Sequence, residues 1–353
     1  MPPSKIHLPA QRTGPPLFGT SRGTDYARLT RRIRQAGLLD RRPGHYVARF
    51  TLTLASFAAA GVAFFLLGDS WLQIPVAAGL AVIYTQVAFL AHDVGHQQVF
   101  ASKRHARIAG LLLGNLGIGL SYGWWIGKHT RHHANPNHVD DDPDIRVGGI
   151  AWTQNQAGTR RGAARIFTRW QAFFFFPLLL LEGLHLYVTG VGALWRRDVK
   201  QRTAEVVLLA VHTVGCLTAL FLVLSPGKAL VFFAVHQAVF GFYLGCSFAP
   251  NHKGMPLMEG RLDYLRKQVL ASRNVHGGWF VDHALGGLNY QIEHHLFPSM
   301  PMPNLRRAKP LVEAFCREHD ISYHDTGLIR SYREILGYLH ETGACLRTPE
   351  RIT

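Results

Sequence analysis

Histidine is the residue type in this sequence whose positions most strongly indicate chemistry. The chain contains 20 histidines in 353 residues, and many of them stand in short clusters. Imidazole nitrogens are common ligands of transition metals, so clustered histidines predict a metal site. Eight histidines are the candidate ligands: His92, His96, His129, His132, His133, His252, His294 and His295.

The spacing within the clusters suits α-helices. His92 and His96 are four residues apart, so one helix face presents both rings. His129, His132 and His133 have i, i+3 and i+4 spacing, and we expect these rings to share a face as well.

The number of imidazoles predicts two metal ions. His294 and His295 are adjacent, about 100° apart on a helix, and can therefore reach two neighbouring centres. Zinc binds four ligands, and a catalytic zinc keeps one position open, so eight imidazoles are too many for one ion. A ligand set made of nitrogen alone suits iron, copper or zinc better than magnesium or calcium.

Four apolar segments must position these clusters. Hydrophobic residues make up 48% of the chain and charged residues 17%, and the two kinds are concentrated in separate blocks. Each apolar block is about 20 residues long, the length that spans a bilayer as a helix. The predicted spans run from Phe50 to Leu67, from Leu72 to Ala91, from Val206 to Leu224 and from Ala229 to Pro250.

The predicted fold is therefore an all-α integral membrane protein with four transmembrane helices in two hairpins. Residues 68–71 and 225–228 are the only links within the two pairs of spans, so every histidine cluster lies on one side of the bilayer. Lys and Arg concentrate on that side, which predicts that it faces the cytoplasm. Four isolated cysteines fit the same reducing compartment. We expect a cytoplasmic helical cap to hold the di-metal site there.

Two other apolar stretches are too short or too broken for an ordinary span. Ile108–Trp125 is rich in glycine, and Phe173–Leu181 contains Pro177. We interpret both as re-entrant or interfacial helices on the cytoplasmic face. The alternative is a third hairpin of true spans.

The net charge of the chain limits the classes of partner that we expect. A net charge of +16 favours contact with anionic lipid or an acidic protein, and no motif of a nucleic-acid-binding protein accompanies it. Residues 1–48 are basic and begin with a proline-rich stretch that disfavours regular structure. We expect residues 49–320 to form the membrane domain and residues 321–353 a cytoplasmic C-terminal tail.

The histidine clusters and their flanks resemble those of membrane fatty acid desaturases. HDVGHQQVF, KHTRHHANPNHVDDDPD and GGLNYQIEHHLFPSMP follow the order of the family's three histidine boxes, and NHKG at Asn251–Gly254 resembles its extra ligand region. The resemblance covers about residues 45–320. It implies that the eight histidines bind two iron ions. It further implies an enzyme that uses O2 to introduce a double bond into a lipid- or CoA-linked fatty acyl chain.

The resemblance also implies roles for residues beside the ligands. Asn251 would act through a water or from the outer layer of the site. Gln291 stands where many relatives carry another histidine, which is similar to the front-end and acyl-lipid branch. Asp93 and Glu293 lie inside the boxes, so we expect them to orient ligating rings.

Other residues near the boxes have two interpretations each. The acidic residues after the second box either accept ring N–H groups from ligands or form a solvated loop. The aromatic residues beside the boxes either line the path of the acyl chain or form an interfacial belt. The acidic residues are Asp140, Asp141, Asp142 and Asp144, and the aromatic residues are Trp124, Trp125 and Tyr290.

Reduction of O2 needs electrons from outside the chain. The sequence contains no cytochrome b5-like HPGG segment, no Cys-x-x-Cys pair and no nucleotide-binding glycine motif. We therefore expect a separate electron donor: ferredoxin, rubredoxin, or cytochrome b5 with its reductase. A basic cytoplasmic face would steer an acidic donor to the enzyme.

Rival functions use some of the same residues. The ligand set would also suit a hydroxylase or ketolase of a lipid or carotenoid. HDVGH resembles a zinc protease motif, but Asp93 stands where HExxH carries its general base. His185, His212 and His236 lie in apolar stretches, where they would serve a haem-binding electron carrier or a metal transporter.

Overall fold

The structure is a computed structural model that describes residues 24–146, 148–260 and 262–347. The proline-rich start of the chain and its last six residues, both included in our predictions for the termini, lie outside the described residues. The described chain is mostly helical. In chain order the helices are α1 (Asp25–Gln35), α2 (Pro43–Leu67), α3 (Gln73–Gly95), α4 (Lys103–Leu111), α5 (Tyr122–Ala134), α6 (Gln154–Gly158), α7 (Gly162–Arg169), α8 (Gln171–Leu179), α9 (Glu182–Trp195), α10 (Arg202–Val223), α11 (Pro226–His252), α12 (Tyr264–Leu270), α13 (Trp279–Ala284), α14 (Gln291–Leu296), α15 (Met302–Glu318) and α16 (Leu328–Thr342).

Four of these helices, α2, α3, α10 and α11, are long and apolar enough to cross a membrane. They contain all residues of the predicted spans except Leu72 and Leu224. The inner pair, α3 and α11, is far more buried than α2 and α10, whose apolar side chains face outward. The protein is therefore built around the α3–α11 contact, and its outer apolar surface is exposed.

Helices α3 and α11 continue beyond the predicted spans to the histidines. The predicted ends were Ala91 and Pro250, whereas α11 includes His252. Pro250 lacks the N–H that would bond the carbonyl of Cys246. The hydroxyl of Tyr332 donates to that carbonyl at 2.7 Å, so the helix tolerates the proline.

The stretch Ile108–Trp125 does not form the one helix that we predicted. It contains the end of α4, a π-helical segment at Leu112–Gly117 and the start of α5. Between them Gly119 has φ +70°, and a Cβ there would lie 2.6 Å from the ring of His212. Glycine is therefore required where the chain reverses into α5.

The stretch Phe173–Leu181 is helical as far as Leu179, and a second helix follows it. Helix α8 ends at Leu179, and α9, which the sequence analysis missed, follows at an angle of 75°. A bend this sharp fits a re-entrant or broken segment. If α8 and α9 are counted as one broken span, the described residues contain up to five candidate spans.

A second core lies beside the histidine-bearing ends of α3 and α11. Leu29 of α1, Leu265 of α12, Ile292 of α14 and Phe315 of α15 are all buried in it. A short parallel pair of strands, β1 (Asn274–His276) and β2 (Asp325–Gly327), joins this core to α16. These elements fix α14, the helix that carries the third histidine cluster.

Candidate metal centre

The structure brings the eight candidate histidines together in two adjacent groups. Within each group, one ring nitrogen from every member lies within 4.8 Å of the others. The groups touch, because the rings of His133 and His295 stack with centroids 4.1 Å apart. The five-histidine group is His92, His96, His129, His133 and His294, and the three-histidine group is His132, His252 and His295.

Helix geometry explains how the clusters are divided. His129 and His133 are one turn apart on α5 and belong to the five-histidine group, whereas His132 points to the other group. Adjacent residues on a helix diverge by about 100°, so His132 and His133 separate as His294 and His295 do. Our expectation that all three α5 histidines share a face therefore holds only for His129 and His133.

The ring nitrogens are spaced as ligands of a shared ion would be. The Nε2 atom of His129 lies 2.8 Å from Nε2 of His96 and 3.1 Å from Nε2 of His133. In the other group, the Nε2 atoms of His252 and His295 are 3.0 Å apart. Two nitrogens about 2.1 Å from one ion, at right angles, are about 3 Å apart. The buried Nε2 of His92 has no hydrogen-bond partner among the described residues, so the residues present fit bound metal.

The opposite ring nitrogens of four histidines are held by fixed acceptors. His132 Nδ1–H donates to Asp142 at 3.0 Å, and Asp142 is fully buried. His252 Nδ1–H donates to the carbonyl of Ala271 at 2.9 Å. His295 Nδ1–H donates to Gln268 Oε1, also at 2.9 Å. These contacts turn the Nε2 atoms toward the interior of the groups.

The fourth of these contacts involves Asp93, one of the predicted orienting residues. Its carboxylate lies 3.3 Å from Nδ1 of His92 and 3.0 Å from the guanidinium of Arg49. One carboxylate oxygen therefore contacts His92 and the other contacts Arg49, both in a buried position. This position leaves Asp93 badly placed to act as the base of a zinc protease.

The acidic residues after the second cluster have different surroundings. Asp142 and Asp144 both approach Nδ1 of His132, at 3.0 and 3.4 Å, and Asp144 also pairs with Lys128 at 2.7 Å. Asp140 and Asp141 lie nearer the surface, where the carboxylate of Asp141 approaches His138. The orienting interpretation therefore fits Asp142 and Asp144, and the solvated-loop interpretation fits Asp141.

Gln291 lies at the three-histidine group, and Asn251 precedes His252, a member of that group, in the sequence. The amide of Gln291 is 2.8 Å from Nε2 of His252, so it reaches the space that the ring nitrogens share. Asn251 donates to the carbonyl of Ser247 at 3.3 Å, and its buried Oδ1 has no partner among the described residues. The amide of Gln291 therefore lies beside the group with fewer imidazoles.

Glu293 faces away from the imidazoles, contrary to our expectation that it orients one. Its carboxylate accepts hydrogen bonds from Asn274 Nδ2 at 2.7 Å and from the hydroxyl of Tyr323 at 2.8 Å. Burial raises the pKa of Glu293 to about 7. This residue fastens α14 to β1 and so acts on the neighbouring histidines through the backbone.

The three predicted aromatic residues lie in three different places. Trp125 stacks on His129 with ring centroids 4.7 Å apart, so it forms a wall of the five-histidine group. Trp124 lies under Lys128 and packs against the α9–α10 contact. Tyr290 is buried in the second core. Of the three, only Trp125 is in a position to contact a substrate at the histidines.

Burial keeps the candidate ligands in the neutral form that binds metal. It lowers the pKa of His129, His133, His294 and His295 well below the usual value for histidine, and neighbouring imidazoles lower it further. A neutral ring offers a lone pair to a metal ion, which a protonated ring cannot do. The arrangement therefore favours metal binding near neutral pH.

The histidines of the haem or transport hypothesis lie elsewhere. His185 is exposed on α9, and His212 donates to the carbonyl of Leu116 at 2.8 Å. His236 is buried on α11 with its ring against Tyr84, at a centroid distance of 4.5 Å. These three histidines are not members of the two groups.

Comparison with known proteins shows to which family the chain belongs. The fatty acid desaturase family model matches residues 69–327, which is well over half of the chain. The chain belongs to the fatty acid desaturase family. All four regions that supply the two histidine groups lie within the matched residues.

Several desaturases are similar to this family member over most of its length. It is 33% identical over 310 residues to the acyl-lipid (9-3)-desaturase of Physcomitrium patens, covering 84% of this chain and 58% of the moss protein. The Delta(5) fatty acid desaturase fat-4 of Caenorhabditis elegans is 31% identical, with 84% and 68% covered. The Delta(8)-fatty-acid desaturase of Euglena gracilis is 29% identical, with 85% and 74% covered. The chain thus spans about three fifths of the length of the moss protein.

Two buried charged residues that were not predicted from the sequence position the histidine-bearing elements of this desaturase-family chain. Glu205, at the start of α10, accepts hydrogen bonds from Asn115, Ser121 and the N–H of Gly123, and so holds the N-terminus of α5. Arg273 is fully buried beside the end of α11. The position of Glu205, an acidic residue at the edge of an apolar span, could have indicated its role. The sequence does not distinguish Arg273 from the many other arginines of the chain.

Replacing Asp142 by asparagine is expected to weaken metal binding about 10- to 100-fold. Asparagine keeps the size of the side chain but no longer offers two charged acceptors to His132 Nδ1–H and to the N–H of Asn137. Metal titration of the purified protein measures the effect. Asp141→Asn is the matched control, and equal metal affinity in the two variants would contradict an orienting role for Asp142.

Proposed function

We propose that this protein is an O2-dependent fatty acyl desaturase that introduces a double bond with a di-iron centre. The observation that carries the proposal is the gathering of eight imidazoles into two touching groups in a chain of this family. The relatives named above are acyl-lipid, Delta(5) and Delta(8) desaturases, which favours a lipid- or CoA-linked fatty acyl substrate.

The proposed ligands are the eight histidines, five for one iron ion and three for the other. Nitrogen ligands hold iron and leave positions open for a further ligand, which suits the three-histidine group in particular. Iron held by the eight histidines would activate O2, which is the oxidant needed to break an unactivated C–H bond. Gln291, beside the smaller group, and Asn251, next to His252 in the sequence, would adjust that site directly or through a water.

The protein side chains would keep the site dry and rigid. Five of the eight rings are nearly inaccessible to solvent: His92, His132, His252, His294 and His295. Trp125 covers His129 on one side. Because the rings stand at the ends of the apolar helices α3 and α11, an acyl chain can approach them from the bilayer without crossing water.

The membrane arrangement in this proposal is two hairpins, α2–α3 and α10–α11, with the histidines on the cytoplasmic side. Residues 49–320 would form the membrane desaturase domain. Residues 1–48 and 321–353 would be cytoplasmic regions, and the second core would belong to a cytoplasmic cap. The short links between the paired helices and the placement of the arginines support this orientation.

Catalysis is expected to depend on a separate electron donor. Purified protein loaded with iron should form no product from acyl substrate, O2 and NADPH until ferredoxin, rubredoxin or cytochrome b5 is added with its reductase. Product formation is followed by gas chromatography of the acyl chains. Sustained turnover with NADPH and no second protein would show that the expected donor is unnecessary.

Lipid analysis of a host cell that expresses the protein tests the proposed reaction. A desaturase yields acyl chains two hydrogens lighter, and mass spectrometry locates the double bond. A hydroxylase or ketolase yields chains or carotenoids with an added oxygen instead. Metal analysis separates the remaining rivals: two irons per chain without a haem Soret band support the proposal, and one zinc per chain supports a protease.

A further inference from the structure

A groove on the outside of α7 and α8 has an apolar floor that no described residue covers. Its volume is about 500 Å³. Ile166 and Phe173 in its floor are 68% and 70% exposed, values unusual for large apolar side chains outside a contact surface. The lining residues are Ala163, Ile166, Phe167, Trp170, Phe173 and Phe174.

The segment of chain that forms this groove contains arginines without carboxylate partners. No Asp or Glu occurs between Asp144 and Glu182 in the sequence, whereas Arg160, Arg161, Arg165 and Arg169 occur there. Within the part of the chain that the structure describes, none of these four arginines forms an ion pair; Arg160 and Arg161 donate only to backbone carbonyls. The segment that forms the groove therefore carries a net positive charge, which would attract an anion.

The groove lies at the level of the membrane surface on the histidine side. Helix α8 packs on the later part of α11, where Leu179 approaches Gly245 and Phe176 lies against Phe242. Helix α11 ends a few residues later at His252. Trp170 lines the groove, and the guanidinium of Arg169 lies over its ring at 5.4 Å, as is typical of a tryptophan at a membrane interface.

We propose that this groove binds an anionic phospholipid of the surrounding leaflet. Arg165 and Arg169, one turn apart on α7, would hold the charged headgroup, and an acyl chain would lie on Ile166 and Phe173. The apolar floor favours lipid over an acidic soluble protein, which would need polar contacts across the same area. The inference rests on the four long helices lying in a bilayer and does not require desaturase activity.

Quenching of tryptophan fluorescence by brominated lipids tests the proposal on the full-length protein in vesicles. Brominated phosphatidylglycerol should quench Trp170 at lower mole fraction than brominated phosphatidylcholine. The difference between the parent protein and Trp170→Phe isolates the signal of this residue. The double variant R165Q/R169Q should reduce the preference for phosphatidylglycerol by up to about 30-fold, because each surface arginine contributes about 1 kcal/mol.

A matched control carries the same change of charge elsewhere. R31Q/R34Q alters two exposed arginines of α1, which packs against α15 and α12, and should leave the preference unchanged. Ile166→Gln should weaken quenching by both lipids. Equal quenching of Trp170 by the two lipids would overturn the proposal. So would a double variant that retains the preference but loses binding of ferredoxin, because the groove would then be a protein-docking surface.

Discussion

Replacing His294 by alanine is expected to abolish product formation, with a loss well beyond about 100-fold, while the protein still inserts into membranes. His294 is almost fully buried, and its Nε2 lies 3.2 Å from Nε2 of His133 in the five-histidine group. Loss of residues that only orient a ligand already costs about 10- to 100-fold in metal affinity or activity, so loss of a ligand should cost more. Double-bond content and iron content of the same preparation measure the effect.

His138→Ala is the matched control for this experiment. His138 follows the second cluster, but its ring approaches Asp141 at 3.5 Å and belongs to neither histidine group. We expect this variant to retain the activity and iron content of the parent protein. Near-normal desaturation by the His294 variant would refute the assignment of the histidine groups as the iron site.

Replacing Arg273 by methionine is expected to destabilise the protein by about 3–5 kcal/mol. The buried guanidinium donates to the carbonyls of Pro250 and Lys253, on either side of His252, and pairs with Glu334 of α16. Methionine fills part of the space but leaves two carbonyls without these donors. A fall in the melting temperature in detergent, together with weaker metal binding, measures the loss.

Arg330→Met separates the buried contacts from the ion pair. Arg330 also pairs with Glu334, at 3.3 Å, but its side chain is 77% exposed. An exposed pair contributes about 0–1 kcal/mol, so this variant should melt close to the parent protein. Equal melting temperatures of the Arg273 and Arg330 variants would show that the carbonyl contacts of Arg273 have no measurable role in holding the end of α11.

The spacing of the histidines allowed much of the site to be predicted. Four-residue spacing placed His92 with His96, and adjacency separated His294 from His295. His132 and His133 are also adjacent and therefore diverge by about 100°, which the prediction of a shared face on α5 did not take into account. Spacing along one helix decides which rings diverge, whereas the group that each ring joins depends on helices distant in sequence.

The residues that orient the rings were harder to predict. Asp142 and Asp141 are neighbours in one acidic run, yet only Asp142 is buried against His132. The carbonyl of Ala271 and the amide of Gln268 hold His252 and His295, although neither residue type marks a metal site. These contacts come from tertiary packing between α11, α12 and α14, on which the sequence pattern carries no information.

The position of α14 in the chain has a consequence for biogenesis. This six-residue helix follows every long apolar helix in the sequence, and it supplies one imidazole to each histidine group. A nascent chain that has inserted α11 but still holds residues 291–296 in the ribosome lacks both rings. With iron bound and the long helices in a bilayer as proposed, both iron sites would be completed only after the last long helix has been synthesised, so iron loading would be a late event.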